Sequence, residues 1–180
     1  MIFAATEIID TVQAWATSIA VLVAVVAVWF EARSSRRAMG AETYYQLEEK
    51  FFHTDLMRAL RRRAATELAS GDSFDAFDDL ADFFDFVGIL VRRRVLDEEM
   101  AWSSFYRRAA AFWDEGLAKK VIERARKCQP LRWNEYEYLV RRLERVHARK
   151  GKLETGPLPT EERSVLLAQE RRLPTIEQVA

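Results

Sequence analysis

From Val12 to Phe30 the chain carries no charged residue, and from Ile19 to Phe30 it carries no polar one. Only a bilayer, a fully apolar protein core or a cleaved leader accommodates such a run. Wound as a helix it would be roughly 28 Å long, close to the roughly 30 Å hydrocarbon thickness of a membrane. A helix in a soluble fold would show a polar residue every third or fourth position, and this run does not. The leader reading fails because "MIFAATEIID" has no basic residue, carries Glu7 and Asp10, and is followed by no convincing small-x-small cleavage site ahead of the next charges. The run therefore predicts a single transmembrane helix over 12–30, preceded by a short extracytoplasmic segment, 1–11.

The flanks orient it. Arg33, Arg36 and Arg37 follow the run and no Lys or Arg precedes it. The positive-inside rule then puts the N-terminus outside and the rest of the chain in the cytoplasm, at the inner membrane. Trp15 and Trp29 stand near the two ends, where aromatic belts form, and with the three arginines they are the expected headgroup contacts. Ala16, Ala20, Ala24 and Ala27 make a small-residue stripe along which two spans could approach, giving a homo-oligomer. Alanine is also simply common in apolar helices.

Residues 31–150 read as one helical domain. The chain of 180 residues holds only six Gly and four Pro, and no strand-like alternation persists anywhere in it. The expected class is all-α, a cytoplasmic helical bundle behind the span. Tyr44, Leu47 and Phe51 form one apolar stripe, with Gly40 a weak point before it. Thr54 is placed to cap a helix whose Leu56, Leu60, Ala64 and Leu68 should face the core. Gly71 ends that helix, and Asp72 or Ser73 caps the next. There Asp75, Asp78, Asp82 and Asp85 line one side, and Phe77, Leu80, Phe84, Val87 and Val91 the other. Gly88 within this segment predicts close approach by a neighbouring helix. Asp97 caps a further helix bearing Trp102, Phe105, Ala109 and Phe112, with a break near Gly116. After Pro130, Trp133, Tyr136 (or Glu137), Val140 and Leu143 share a face. Residues 151–180 hold three of the four Pro, which predicts a weakly ordered tail with one short helix capped by Thr160 and ending at Arg172.

The block "FFDFVGILVRRRVLDEE", the later "FW" at Phe112–Trp113 and "NEYEYLVRRLE" together resemble an uncharacterised bacterial family of domains of unknown function. The resemblance runs from the second half of the apolar stretch to Leu143. It implies one N-terminal transmembrane helix followed by a helical domain, and it supplies no catalytic residue.

Candidate chemistry is sparse. Cys128 is the only cysteine, so an intramolecular disulfide and a CxxC site are excluded. Its neighbours "RARK" could activate the thiol, but a small semi-buried position is the simpler expectation. His53 and His147 have no HExxH or nucleophile nearby and read as surface or capping residues. No Gly-rich phosphate loop is present. Asp75, Asp78, Asp79, Asp82 and Asp85 could offer oxygen ligands to Mg²⁺ or Ca²⁺, giving a metal-dependent enzyme. Acids on one helix face do not converge on an ion by themselves, and they also steady the helix start. Arg61, Arg62, Arg63, Arg92, Arg93 and Arg94, with Arg107–Arg108 and Arg141–Arg142, could form a basic surface for nucleic acid or anionic lipid, with Tyr44, Tyr106, Trp133 and Tyr136 available for stacking. Twenty-eight basic residues are balanced by 28 acidic ones, so paired or solvated charge is the simpler account and nucleic acid is not the expected partner. The sequence thus reads as a non-enzymatic, membrane-anchored interaction or scaffolding module, with membrane lipid and a protein as partners and no metal or cofactor.

Overall fold

The computed structural model describes Glu31, residues 39–151 and residues 158–174. The chain divides into two compact units, Met1–Met39 and Gly40–Ala180. The apolar run 12–30, its alanine stripe, Trp15, Trp29, Arg33, Arg36 and Arg37 all lie outside the described residues. Among the described residues no helix is long and apolar enough to cross a membrane.

The second unit is built, in its described residues, from helices without strands. We number them α1 (40–53), α2 (Asp55–Ser70), α3 (Asp75–Arg92), α4 (Glu98–Trp113), α5 (Gly116–Cys128), α6 (Asn134–Gly151) and α7 (Thr160–Arg171). α3 is central and packs against α2, α6 and α4, while α7 lies on α2 and α4. The helical-bundle expectation holds for this unit.

Local signals explain most of the boundaries. Met57 N donates to Thr54 Oγ1 at the start of α2, and Gly71 closes that helix in the left-handed region at φ 78°. Asp97 Oδ1 accepts from the amides of Glu99 and Met100 at the start of α4. α3 departs from expectation. Neither Asp72 nor Ser73 caps it; the Glu67 carboxylate, reaching across from α2, accepts from the amides of Ala76 (3.2 Å) and Phe77 (3.0 Å). A carboxylate serves at this end because the first-turn N–H groups have no intrahelical partner and the dipole favours negative charge.

Phe51, Phe77, Phe84, Phe105 and Phe112 are buried to within 1%. Phe51 stacks on Phe83 at 5.1 Å and meets Phe105 edge-on at 5.5 Å, while Phe84 stacks on Tyr136 at 5.0 Å. Each fully buried Phe stabilises by about 1.5–3 kcal/mol, against about 0–1 kcal/mol for a surface ion pair. The ring cluster joining α1, α3, α4 and α6 therefore contributes more than the surface ion pairs do.

Three sequence expectations need correction. Leu56 is 75% exposed and Leu60 only half-buried, because Met57 and Arg61 take the core positions in the first half of α2; Ala64 and Leu68 are buried as expected. Gly40 is buried within α1, where a Cβ would stand 2.6 Å from the Val95 carbonyl oxygen. Cys128 is exposed, not semi-buried. The tail helix has nearly the expected extent, but Pro159 and not Thr160 is its N-cap, and it docks through Leu158, Leu166, Leu167 and Glu170, all buried.

Candidate functional site

Docking of α7 creates the least ordinary site in the described residues. Arg61 occupies a core position of α2, on the stripe that continues Met57 and Ala64, and is 2% exposed. Its guanidinium carbon lies 4.6 Å from the centre of the Phe51 ring and 5.5 Å from that of Phe52. Arg108 of α4 covers Phe52 from 4.7 Å. Between the two cations sits Glu170 of α7, which accepts from Arg108 Nε at 2.7 Å and stands 3.4 Å from Arg61 Nε. One carboxylate thus faces two guanidiniums over a floor of aromatic rings. Guanidinium suits that floor because it is weakly hydrated and stacks on ring faces.

The pairing is incomplete. Arg61 Nε and Nη1 and Glu170 Oε2 are buried with no hydrogen-bond partner among the described residues. Burial lowers the Arg61 pKa to about 10, opposed by Glu170 and reinforced by Arg108 and Arg58. The group is still charged near neutral pH, at a desolvation cost that one shared carboxylate only partly offsets. At the rim, Arg107 binds Glu162 at 2.7 Å and Arg163 Nη1 donates to the Asp114 carbonyl at 2.8 Å.

Asp78, Asp82 and Asp85 of α3 face α6 and the turn before it, whereas Asp75 and Asp79 are exposed. Arg132 donates to Asp78 at 3.0 Å, and Trp133 Nε1 donates to Asp82 at 2.6 Å. Asp85 Oδ1 accepts from the Glu135 and Tyr136 amides at 3.0 and 2.9 Å, capping α6 from a neighbouring helix. Trp133 itself adopts a left-handed φ of 56°. The Asp78 pKa is raised by burial; Arg132 opposes this, and Asp82, Asp75 and Asp79 add to it. Every partner named here is an N–H donor, which suits a carboxylate acting as a cap or ion-pair partner, whereas a cation site needs further oxygen ligands. Among the described residues no group of three or more His, Cys, Asp or Glu side chains is placed to hold a metal ion.

The arginine clusters disperse. Arg61 points into the core, so it belongs to no basic surface; its stem and head are more stable on the Phe51–Phe52 rings than in a patch of like charge. Arg62 and Arg63 line a cavity of about 440 Å³ beside α2, together with Thr66, Ser70 and Ser73. Arg92 pairs with Glu135 at 2.9 Å and stacks on Tyr138 at 4.4 Å; Arg93 and Arg94 are exposed where α3 ends. Arg142 reaches Glu98 at 2.6 Å. The stacking candidates are also occupied: Tyr136 is buried with its hydroxyl donating to the Ala109 carbonyl at 2.7 Å, and Trp133 is buried against Phe77. His53 is exposed, whereas His147 is half-buried with its ring 4.7 Å from that of Tyr106.

Sequence reasoning passed over Glu170 and saw Arg108 only as part of a basic pair. The signals for the site are positional: Glu170 follows Leu166 and Leu167 on one helical face, and Arg61 shares the periodicity of apolar Met57 and Leu68.

No curated protein and no solved structure matches the chain. A family model described as Domain of unknown function (DUF4760) matches residues 2–143. It covers the apolar run, the α3 aspartates, the start of α6, and Arg61 and Arg108, and stops short of α7. The chain therefore belongs to the DUF4760 family.

Proposed function

We propose that this protein is a single-pass inner-membrane protein, N-terminus outside, whose cytoplasmic helical domain works by binding another protein and not by catalysis. The observation that carries the reading is the uncharged run Val12–Phe30 followed by Arg33, Arg36 and Arg37. Trp15, Trp29 and these arginines would meet headgroups, and the Ala16–Ala27 stripe would offer a face for a second span. The contact role is supported by how the domain uses its charge: Asp78, Asp82, Asp85 and Glu170 are engaged with donors on neighbouring helices. Carboxylates so engaged are committed to holding helices together.

Fractionation tests the anchor. The full chain is expected in the membrane pellet after ultracentrifugation and after alkaline carbonate washing, and to be released by detergent. Recovery in the high-speed supernatant would refute it. Crosslinking of the full chain in its native membrane is expected to capture a discrete protein partner; a catalytic activity retained by the purified protein, with no such partner, would overturn the contact role.

A further inference from the structure

We infer that the groove between α2 and α4 is a docking site for an acidic amphipathic helix, and that α7 is its displaceable resident. The groove is lined by Arg61, Arg107, Arg108 and Phe52, and α7 meets it with Glu162, Leu166, Leu167 and Glu170. Two buried leucines between two glutamates, each glutamate facing arginine, define the chemistry the groove recognises. All four groove residues fall inside the family match, while the whole of α7 falls beyond it. The lining of the groove thus lies within the matched stretch, and its occupant lies beyond it.

The occupant satisfies the groove only in part. Among the described residues Arg61 keeps two buried donors without a hydrogen bond, and a single carboxylate is shared between two guanidiniums. Lifting α7 returns those charges to water, which offsets part of the cost of exposing its leucines. α7 is also short, with no side-chain cap at its start. Helices of fewer than about 12–15 residues are marginal in isolation, so its helicity depends on the groove. A partner helix with the same Leu-Leu-x-x-Glu pattern and a second carboxylate beside Glu170's position would make the better match. This inference rests on the contact reading above but not on the membrane anchor.

The test uses the full-length chain in detergent and a labelled peptide of residues 158–174. Leu166→Ala with Leu167→Ala in the chain frees the groove without touching its lining. That variant is expected to bind the peptide at least tenfold more tightly than the wild-type chain does. A peptide carrying Glu170→Gln is expected to bind at least tenfold more weakly. Equal binding by both chains, or an unaffected Glu170→Gln peptide, would overturn the proposal. Hydrogen exchange on the wild-type chain gives a second measure that needs no variant. Amides of 160–171 are expected to exchange by local opening, well ahead of those in α3; exchange of both only on global unfolding would also overturn it. Loss of membrane association would leave both measurements unchanged, so the two proposals fail separately.

Discussion

Gly88 of α3 lies directly under the backbone of Glu135 in α6. A Cβ built on Gly88 would collide with the Glu135 carbonyl oxygen and come within 2.6 Å of its carbon. Backbone cannot swing aside as a flexible side chain can, so α3 and α6 approach this closely only with glycine at the crossing. Elsewhere in a helix, Gly→Ala would stabilise by about 1 kcal/mol. Here the steric term wins: Gly88→Ala is expected to destabilise by about 1–3 kcal/mol, read from the denaturant midpoint. An unchanged midpoint would mean that the two helices are not in contact at this point.

One turn earlier, Asp85 caps α6 through the amides of Glu135 and Tyr136. Asp85→Ala should cost about 1–2 kcal/mol, whereas Asp85→Asn keeps an acceptor oxygen and should cost less than half as much. Chemical denaturation of both variants separates the cap from simple charge removal.

Glu144 supplies a pH prediction. Burial raises its pKa above the ordinary 4.5, and Asp114 adds to the rise against weaker opposition from Arg141 and Lys119. As pH climbs past 4.5 the unfolded chain releases this proton first, so the folded state holds more protons and loses stability until its own raised pKa is passed. Glu144→Gln removes that loss. The variant is expected to match the wild type in melting temperature near pH 4 and to exceed it at pH 7. A difference of the opposite sign at pH 7 would show that the carboxylate is stabilised by its neighbours.

The Arg61–Glu170–Arg108 cluster should respond unequally to its two buried members. Glu170→Ala leaves two guanidiniums without their carboxylate and is expected to cost about 3–5 kcal/mol. If α7 lifts away the cost falls, and the missing protection appears in hydrogen exchange at 160–171. Arg61→Met fills similar volume over Phe51 and leaves Glu170 paired with Arg108, so it should be close to neutral. Thermal unfolding of the two variants side by side is the check.

Much of the bundle was legible where its cause is local. The stripe Phe77–Leu80–Phe84–Val87–Val91, the Thr54 and Asp97 caps and the Gly71 stop each depend on residues within a turn or two of one another. The close approach at Gly88 was legible because glycine inside an apolar helix has few other uses. What escaped was decided by distant partners. Glu67 caps α3 from another helix, and nothing in its own neighbourhood announces that. Arg61 broke the apolar count in the first half of α2, where the expected face fell on exposed Leu56, while Ala64 and Leu68 are buried as expected. The tail looked weakly ordered from its prolines, because the arginines that hold Glu170 lie far back in the chain, on α2 and α4. A charge becomes a core residue only when its counter-charge arrives.

Trp133 carries a further consequence. A residue with a β-carbon held left-handed costs about 1–2 kcal/mol, and no glycine relieves the strain in this corner. What holds it is the indole's bond to Asp82 and its edge contact with Phe77, both furnished by α3, together with Arg126 of α5 donating to the Trp133 carbonyl. The corner between α5 and α6 is therefore tied from both sides: Arg126 of α5 reaches across it to the Arg132 carbonyl and to Glu137, while α3 holds the indole. Single variants at Trp133 and Asp82 should then destabilise by similar amounts, and the double variant by clearly less than their sum, because both break the same bond.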